Sequence, residues 1–161
     1  MPEIQTVVNQ AKIATEKIIN VMTGLKFNFD ESSIPGENEI QSYGISSIVN
    51  FCGKAKGRML LDLEHSLALY LSHRITGGNY TTACNTMVLE TIAELNNTIS
   101  GDLVTELNNK YELSLRLSPP IVFSGEHVTI AVPRLTSESL TGSTVHGKIL
   151  LSIGLEGVPA R

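Results

Sequence analysis

A carboxylate and an amide, Glu94 and Asn97, stand three residues apart in the stretch Met87 to Lys110, MVLETIAELNNTISGDLVTELNNK. A carboxylate accepts hydrogen bonds and an amide both donates and accepts. Side by side on a helix surface, such a pair can hold a polar group brought from outside. Spacing alone does not single it out. The same stretch contains a second Glu-x-x-Asn, Glu106 and Asn109, and a solvated helix face is the ordinary origin of both. The second pair is set aside, because it sits partly toward the apolar side and near the end of the stretch.

The stretch itself reads as one long amphipathic helix. Val88, Ile92, Leu95, Ile99, Leu103 and Leu107 recur at steps of three and four. At about 100° per residue these six lie within roughly 50–60° of one mean direction, the buried stripe. Glu90, Glu94, Asn97 and Gly101 lie opposite, spread over roughly 60°. Gly101 costs about 1 kcal/mol relative to alanine in a helix interior and leaves a notch where another backbone or ring could approach.

The remaining chain supplies elements to position this helix. Residues 3–22 carry helical spacing at Ile4, Val7, Val8, Ala11, Ala14, Ile18 and Val21, stopped by Thr23-Gly24. Leu25 to Phe29 alternates as a strand, and Asp30 to Ser42 reads as a loop. Ile45 to Cys52 and Arg58 to Leu63 form a hairpin about the turn Gly53–Gly57. Glu64 to Ile75 is a short helix ended by Gly77-Gly78. Asn85 caps the long helix. Glu112–Leu117, Ile121–Phe123, Val128–Val132 and Lys148–Ile153 read as strands, broken by Pro119-Pro120, Gly125, Pro133 and Gly142.

Shifted by 90 residues, the chain partly overlays itself. Leu25-Lys26-Phe27 falls on Leu115-Arg116-Leu117, and Gly57–Leu63 on Gly147–Ile153. Two related halves, about 1–75 and 85–155, are expected to pair into one sheet. The expected fold is α/β (α+β): a single domain over 1–161, with a twisted, mainly antiparallel sheet and two long antiparallel helices on one face. Under the same shift Glu94 and Asn97 fall on Ile4 and Val7, so only the second half carries polar groups there.

Composition narrows the function. Apolar content is 42%, charged content 17% and net charge −4. This is a globular chain without a basic cluster, and nucleic acid is excluded as an expected ligand. No apolar run is long enough to span a membrane, and MPEIQTVV lacks the features of a signal peptide, so a cytoplasmic location is expected. Cys52 and Cys84 are expected to be reduced, buried thiols. His65, His73, His127 and His146 show no ligand spacing, and no metal site is expected. Gly142 to Ile149 imitates a phosphate loop, but Ile149 replaces the required Ser/Thr and a strand follows instead of a helix. No Gly-x-Ser-x-Gly elbow is present. Lys54 and Lys56 mark a solvated hairpin tip.

The segment AELNNTISG (Ala93 to Gly101), following the hairpin VNFCGKAKGRMLLDL (Val49 to Leu63), resembles the CheX branch of the CheC/CheX/FliY chemotaxis phosphatases. The matching pattern is Glu-Leu-x-Asn-x-Ile-x-Gly, at Glu94, Leu95, Asn97, Ile99 and Gly101. Met22-Thr23-Gly24, Gly53…Gly57, Gly77, Pro119 and Gly125 extend the likeness over nearly the whole chain. One Glu/Asn pair instead of two is similar to CheX more than to CheC.

The resemblance implies a hydrolase of two-component signalling that dephosphorylates the aspartyl phosphate of a CheY-type response regulator. Asn97 would orient the attacking water and Glu94 would pair with the partner's lysine. Glu90 and Gly101 would shape the contact. The chain would need no cofactor of its own, with a divalent metal (Mg) expected on the partner. A homodimer is implied as well. The alternative is a non-catalytic binding module for a receiver domain or flagellar-switch component. A structural domain without catalysis is the third reading, favoured if the protein's own dimer partner covers the Glu94/Asn97 face.

Overall fold

The computed structural model describes residues 1–35, 39–126, 128–131 and 135–157. In chain order the elements are α1 (Ile4–Thr23), β1 (Ile34–Pro35), β2 (Glu39–Gln41), β3 (Gly44–Cys52), β4 (Lys56–Glu64), α2 (His65–Thr76), α3 (Thr86–Tyr111), β5 (Arg116–Leu117), β6 (Ile121–Ser124), β7 (Thr129–Ala131), β8 (Thr136–Thr144) and β9 (Gly147–Leu155). The fold is α+β. A seven-stranded sheet runs β1-β8-β9-β4-β3-β5, with β6 also on β3, and β2 pairs with β7 separately. All of these pairings are antiparallel.

Alternation along the strands divides the interior. Ile45 and Phe51 on β3, Met59, Leu61 and Leu63 on β4, and Ile149, Leu151, Ile153 and Leu155 on β9 join the helices in one core. The intervening positions Ile48, Leu60 and Leu150 point the other way, because successive strand side chains alternate. There they meet Ile40 of β2, Ile130 of β7 and Phe123. Helices therefore cover one face of the sheet, and the small β2–β7 pair covers part of the other. Three helices share the first face, since α2 contributes Leu67, Ala68 and Leu71 to the same core. The two long ones are α1 and α3, as expected, and α2 is the short helix read over Glu64 to Ile75.

The internal repeat has a geometric counterpart. Leu61 faces Leu151 across the β4–β9 ladder, and these residues are 90 apart, the offset at which the sequence overlays itself. A local twofold through that pair exchanges β4 and β9, as their antiparallel register requires. The match fades in the partner strands. Gly57 pairs with Phe51, but its counterpart Gly147 pairs with Thr144, 93 residues on. The tighter second hairpin shifts the phase by three. Gly57 is obligatory, since a Cβ there would lie 2.0 Å from the Phe51 ring.

Several expected elements change form. Leu25 to Phe29 buries alternate residues as a strand would, yet it joins no ladder among the described residues. The amide of Phe29 donates to Glu16, and that of Asp30 donates to the Thr141 carbonyl. The Asp30–Ser42 loop contains β1 and β2. The strand expected over Glu112–Leu117 shrinks to β5. Glu112 and Ser114 both adopt left-handed backbone, φ 52°, which breaks extended pairing at a cost of about 1–2 kcal/mol each. Asn108 braces this corner: its side chain accepts from the Leu115 amide at 2.7 Å and donates to the Leu115 carbonyl at 3.0 Å. The expected strand Val128–Val132 is β7; Val132 and Pro133 lie outside the described residues. β8 was not expected. The false phosphate loop is the β8–β9 hairpin.

Both cysteines are exposed, against expectation. Cys52 ends β3 at the hairpin tip and Cys84 precedes α3; their neighbours Phe51 and Ala83 take the core positions and the thiols point away. The described histidines, His65, His73 and His146, serve packing. His73 Nε2 lies 3.0 Å from both the amide nitrogen and the carbonyl oxygen of Tyr80. The His146 ring stacks on Tyr70 at 3.5 Å. His65 lies against Gly44 and stands 3.7 Å from Glu126. His127 lies outside the described residues. Among the described residues no helix is long and apolar enough to cross a membrane.

Candidate functional site

α3 starts where Asn85 Oδ1 accepts the Met87 amide at 2.8 Å, a cap worth about 0.5–2 kcal/mol. All six residues of its apolar stripe are at most 1% exposed. That burial fixes which side of the helix faces water. Glu90 and Glu94 are exposed, and Asn97 and Gly101 are partly buried. The four expected residues thus share one outward stripe over some three turns of continuous α-helix. Among the described residues, the side chains of Glu94 and Asn97 have no hydrogen-bond or ion-pair partner. They are free to engage groups from another molecule.

Gly101 opens the surface one turn beyond Asn97. A Cβ built there would meet only Leu117 of β5, at 3.8 Å. The chain's own packing does not demand glycine. Glu106 and Asn109 are both exposed, so the second pair does not turn toward the apolar side. It lies in the last turns, against the corner at Glu112. Ile4 and Val7, the counterparts of Glu94 and Asn97, are 2% and 0% exposed. α1 therefore offers no second polar pair at those positions.

Two sets of neighbours orient α3. Lys17 of α1 reaches Asp102 at 3.1 Å in a largely exposed ion pair, which contributes at most about 1 kcal/mol. The second set is buried. The Asn96 amide donates to the Ser47 carbonyl at 2.9 Å and to the Ser47 hydroxyl at 3.1 Å, and Ser100 Oγ donates to Asn96 Oδ1 at 3.2 Å. All three residues are 0% exposed. Sequence reading passed over Asn96, although a signal was present. Four residues after Ile92 and three before Ile99, it lies inside the apolar stripe. Two adjacent asparagines thus have opposite fates, one tied to the sheet and one facing water.

The arrangement suits positioning, not covalent attack. The stripe offers a carboxylate and an amide without a nucleophile–base pair. Among the described residues no three His, Cys, Asp or Glu side chains gather as a metal site.

Comparison with known proteins follows the same line. The family model described as chemotaxis phosphatase CheX matches residues 45–143. No curated protein matches the chain. Among solved structures, chemotaxis protein CheX from Vibrio vulnificus superposes with a TM-score of 0.85 at 20% identity, covering 94% of this chain and 99% of that one. A CheC-like superfamily protein from Shewanella sp. PV-4 gives 0.84 at 20% identity, covering 94% and 97%. The CheX of the CheX–CheY–BeF3–Mg2+ complex from Borrelia burgdorferi gives 0.72 at 21% identity, covering 92% and 97%.

Proposed function

The chain belongs to the family of the chemotaxis phosphatase CheX, and from that premise we propose that it hydrolyses the aspartyl phosphate of a CheY-type response regulator. The observation that carries the reading is the free carboxylate–amide pair, Glu94 and Asn97, on the wet face of a helix locked to the sheet. The CheX–CheY complex of the Borrelia burgdorferi relative supports a receiver domain as partner.

In this mechanism the Asn97 amide accepts from and donates around one water, holding its oxygen in line with the phosphorus. The water oxygen bonds to phosphorus as the bond from phosphorus to the aspartyl oxygen breaks. Inorganic phosphate leaves with the water's proton, and the partner's carboxylate is restored. Glu94 pairs with the partner's lysine and fixes the register of the two proteins. Glu90 and Gly101 shape the contact. A magnesium ion on the partner, with none on this chain, supplies the charge stabilisation that phosphoryl transfer requires. The whole chain would act as one such domain, as a cytoplasmic homodimer, which light scattering on the purified protein tests.

The experiment is phosphate release from a CheY-type receiver phosphorylated with acetyl phosphate in magnesium. Wild type should accelerate release. Asn97→Ala should lower kcat by about 10²-fold or more with KM little changed, whereas Glu94→Ala should act mainly through KM. Undiminished turnover by Asn97→Ala would overturn the mechanism and favour a binding module.

A further inference from the structure

The buried Asn96–Ser47–Ser100 cluster has no counterpart in the pattern Glu-Leu-x-Asn that carries the proposed chemistry, where Asn96 fills the unspecified position. It lies beneath the working face, one residue from Asn97. Ser47 sits between Ile45 and Phe51 in the row of β3 that faces the helices. Apolar contacts hold a helix against a sheet without fixing its rotation closely, because they are non-directional. Hydrogen bonds to a strand carbonyl and hydroxyl are directional. A side-chain head rides about 5–6 Å from the helix axis, so a 10° rotation moves it by about 1 Å. A displacement of that size costs about 10²-fold in a reaction that depends on alignment.

We propose that Asn96 is a positioning residue: by bonding to Ser47 and Ser100 it sets the rotation of α3 and so aims Asn97 at the water. This rests on the proposed phosphatase reading and adds a residue to it. Three features support the assignment. The cluster is fully buried, so it contributes nothing directly to docking. Both Asn96 amide bonds end on one residue at the middle of β3, a strand paired on both sides. Ser100 fixes the orientation of the amide by occupying its oxygen.

The test uses Ser47→Val/Asn96→Ala, which removes the directional bonds while roughly conserving volume; it leaves no unpaired amide, and the Ser100 hydroxyl can turn to the backbone carbonyl one helical turn back. The full chain is assayed against the receiver phosphorylated with acetyl phosphate. The melting temperature should stay within about 5 °C of wild type. KM should change less than about threefold, and kcat should fall at least about tenfold. In the Asn97→Ala background the double change should lower kcat no further, because the residue it aims is gone. A merely structural role would lower activity equally in both backgrounds. Asn96→Ala alone serves as a second variant if the pair melts early. Full kcat in either folded variant, or losses that multiply in the Asn97→Ala background, overturns the inference alone. A wild-type protein without phosphate release overturns the phosphatase reading and the inference with it.

Discussion

Replacing Gly101 with alanine should make the protein more stable and a poorer phosphatase. The stability arm comes from the helix. Gly101 lies within α3, and a Cβ there meets only Leu117 at 3.8 Å, an ordinary van der Waals distance. The usual helix-interior gain of about 0.5–1 kcal/mol therefore has no steric penalty to offset it. For a chain of this size that raises the melting temperature by about 1–4 °C. The activity arm comes from the surface. Gly101 follows Asn97 by one turn on the outward stripe, and a methyl group pressed into a packed interface costs about 1–3 kcal/mol. KM for the phosphorylated receiver should rise at least about fivefold. Circular dichroism melts and the phosphate-release assay read the two arms separately. A lowered melting temperature would refute the packing argument. An unchanged KM would show that the partner does not approach this part of α3.

Asn85→Ala should destabilise by about 0.5–2 kcal/mol in urea titrations, since Asn85 Oδ1 caps the first turn of α3. A double-mutant cycle on Lys17 and Asp102 should return a coupling of at most about 1 kcal/mol that shrinks further in high salt. Asp62 predicts a pH dependence. It is buried on the back face of β4, where it accepts from Ser42 at 2.8 Å, Ser46 at 2.5 Å and the Tyr43 amide at 2.7 Å. Burial raises its carboxyl above the ordinary value of 3.8, outweighing these hydrogen bonds. The folded state then holds the proton more tightly than the unfolded chain. The contribution is fully present below the unfolded value and is lost as pH rises through the folded one. Asp62→Asn should therefore gain stability relative to wild type as urea titrations move upward from about pH 4. A difference that shrinks with pH would refute the assigned direction.

The elements recovered from sequence share a physical property: their periodicity is enforced locally. α1, α2 and α3 each bury one stripe at helical spacing, and Gly24, Gly77 and Asn85 mark ends whose chemistry is self-contained. β8 escaped because its residues, TSESLTGST, are mostly polar. Its burial depends on distant partners, such as Gln5 of α1 donating to Glu138 at 2.5 Å and Ser33 bonding the same carboxylate. The corner after α3 escaped because left-handed backbone at Glu112 and Ser114 has no glycine to announce it. The cysteines were misplaced because a thiol's burial follows its position in the fold, not its type.

That Glu90, Glu94, Asn97 and Gly101 share one face of a helix was legible from residue order alone, since it follows from 3.6 residues per turn. Residue order also carried the family pattern. The packing of the chain determines that Glu90 and Glu94 on this face stay exposed, and that Asn96 reaches through the apolar stripe to Ser47. Ser47 and Asn96 are 49 residues apart. A bond between them forms only once β3 and α3 are packed together, and no local pattern encodes that meeting.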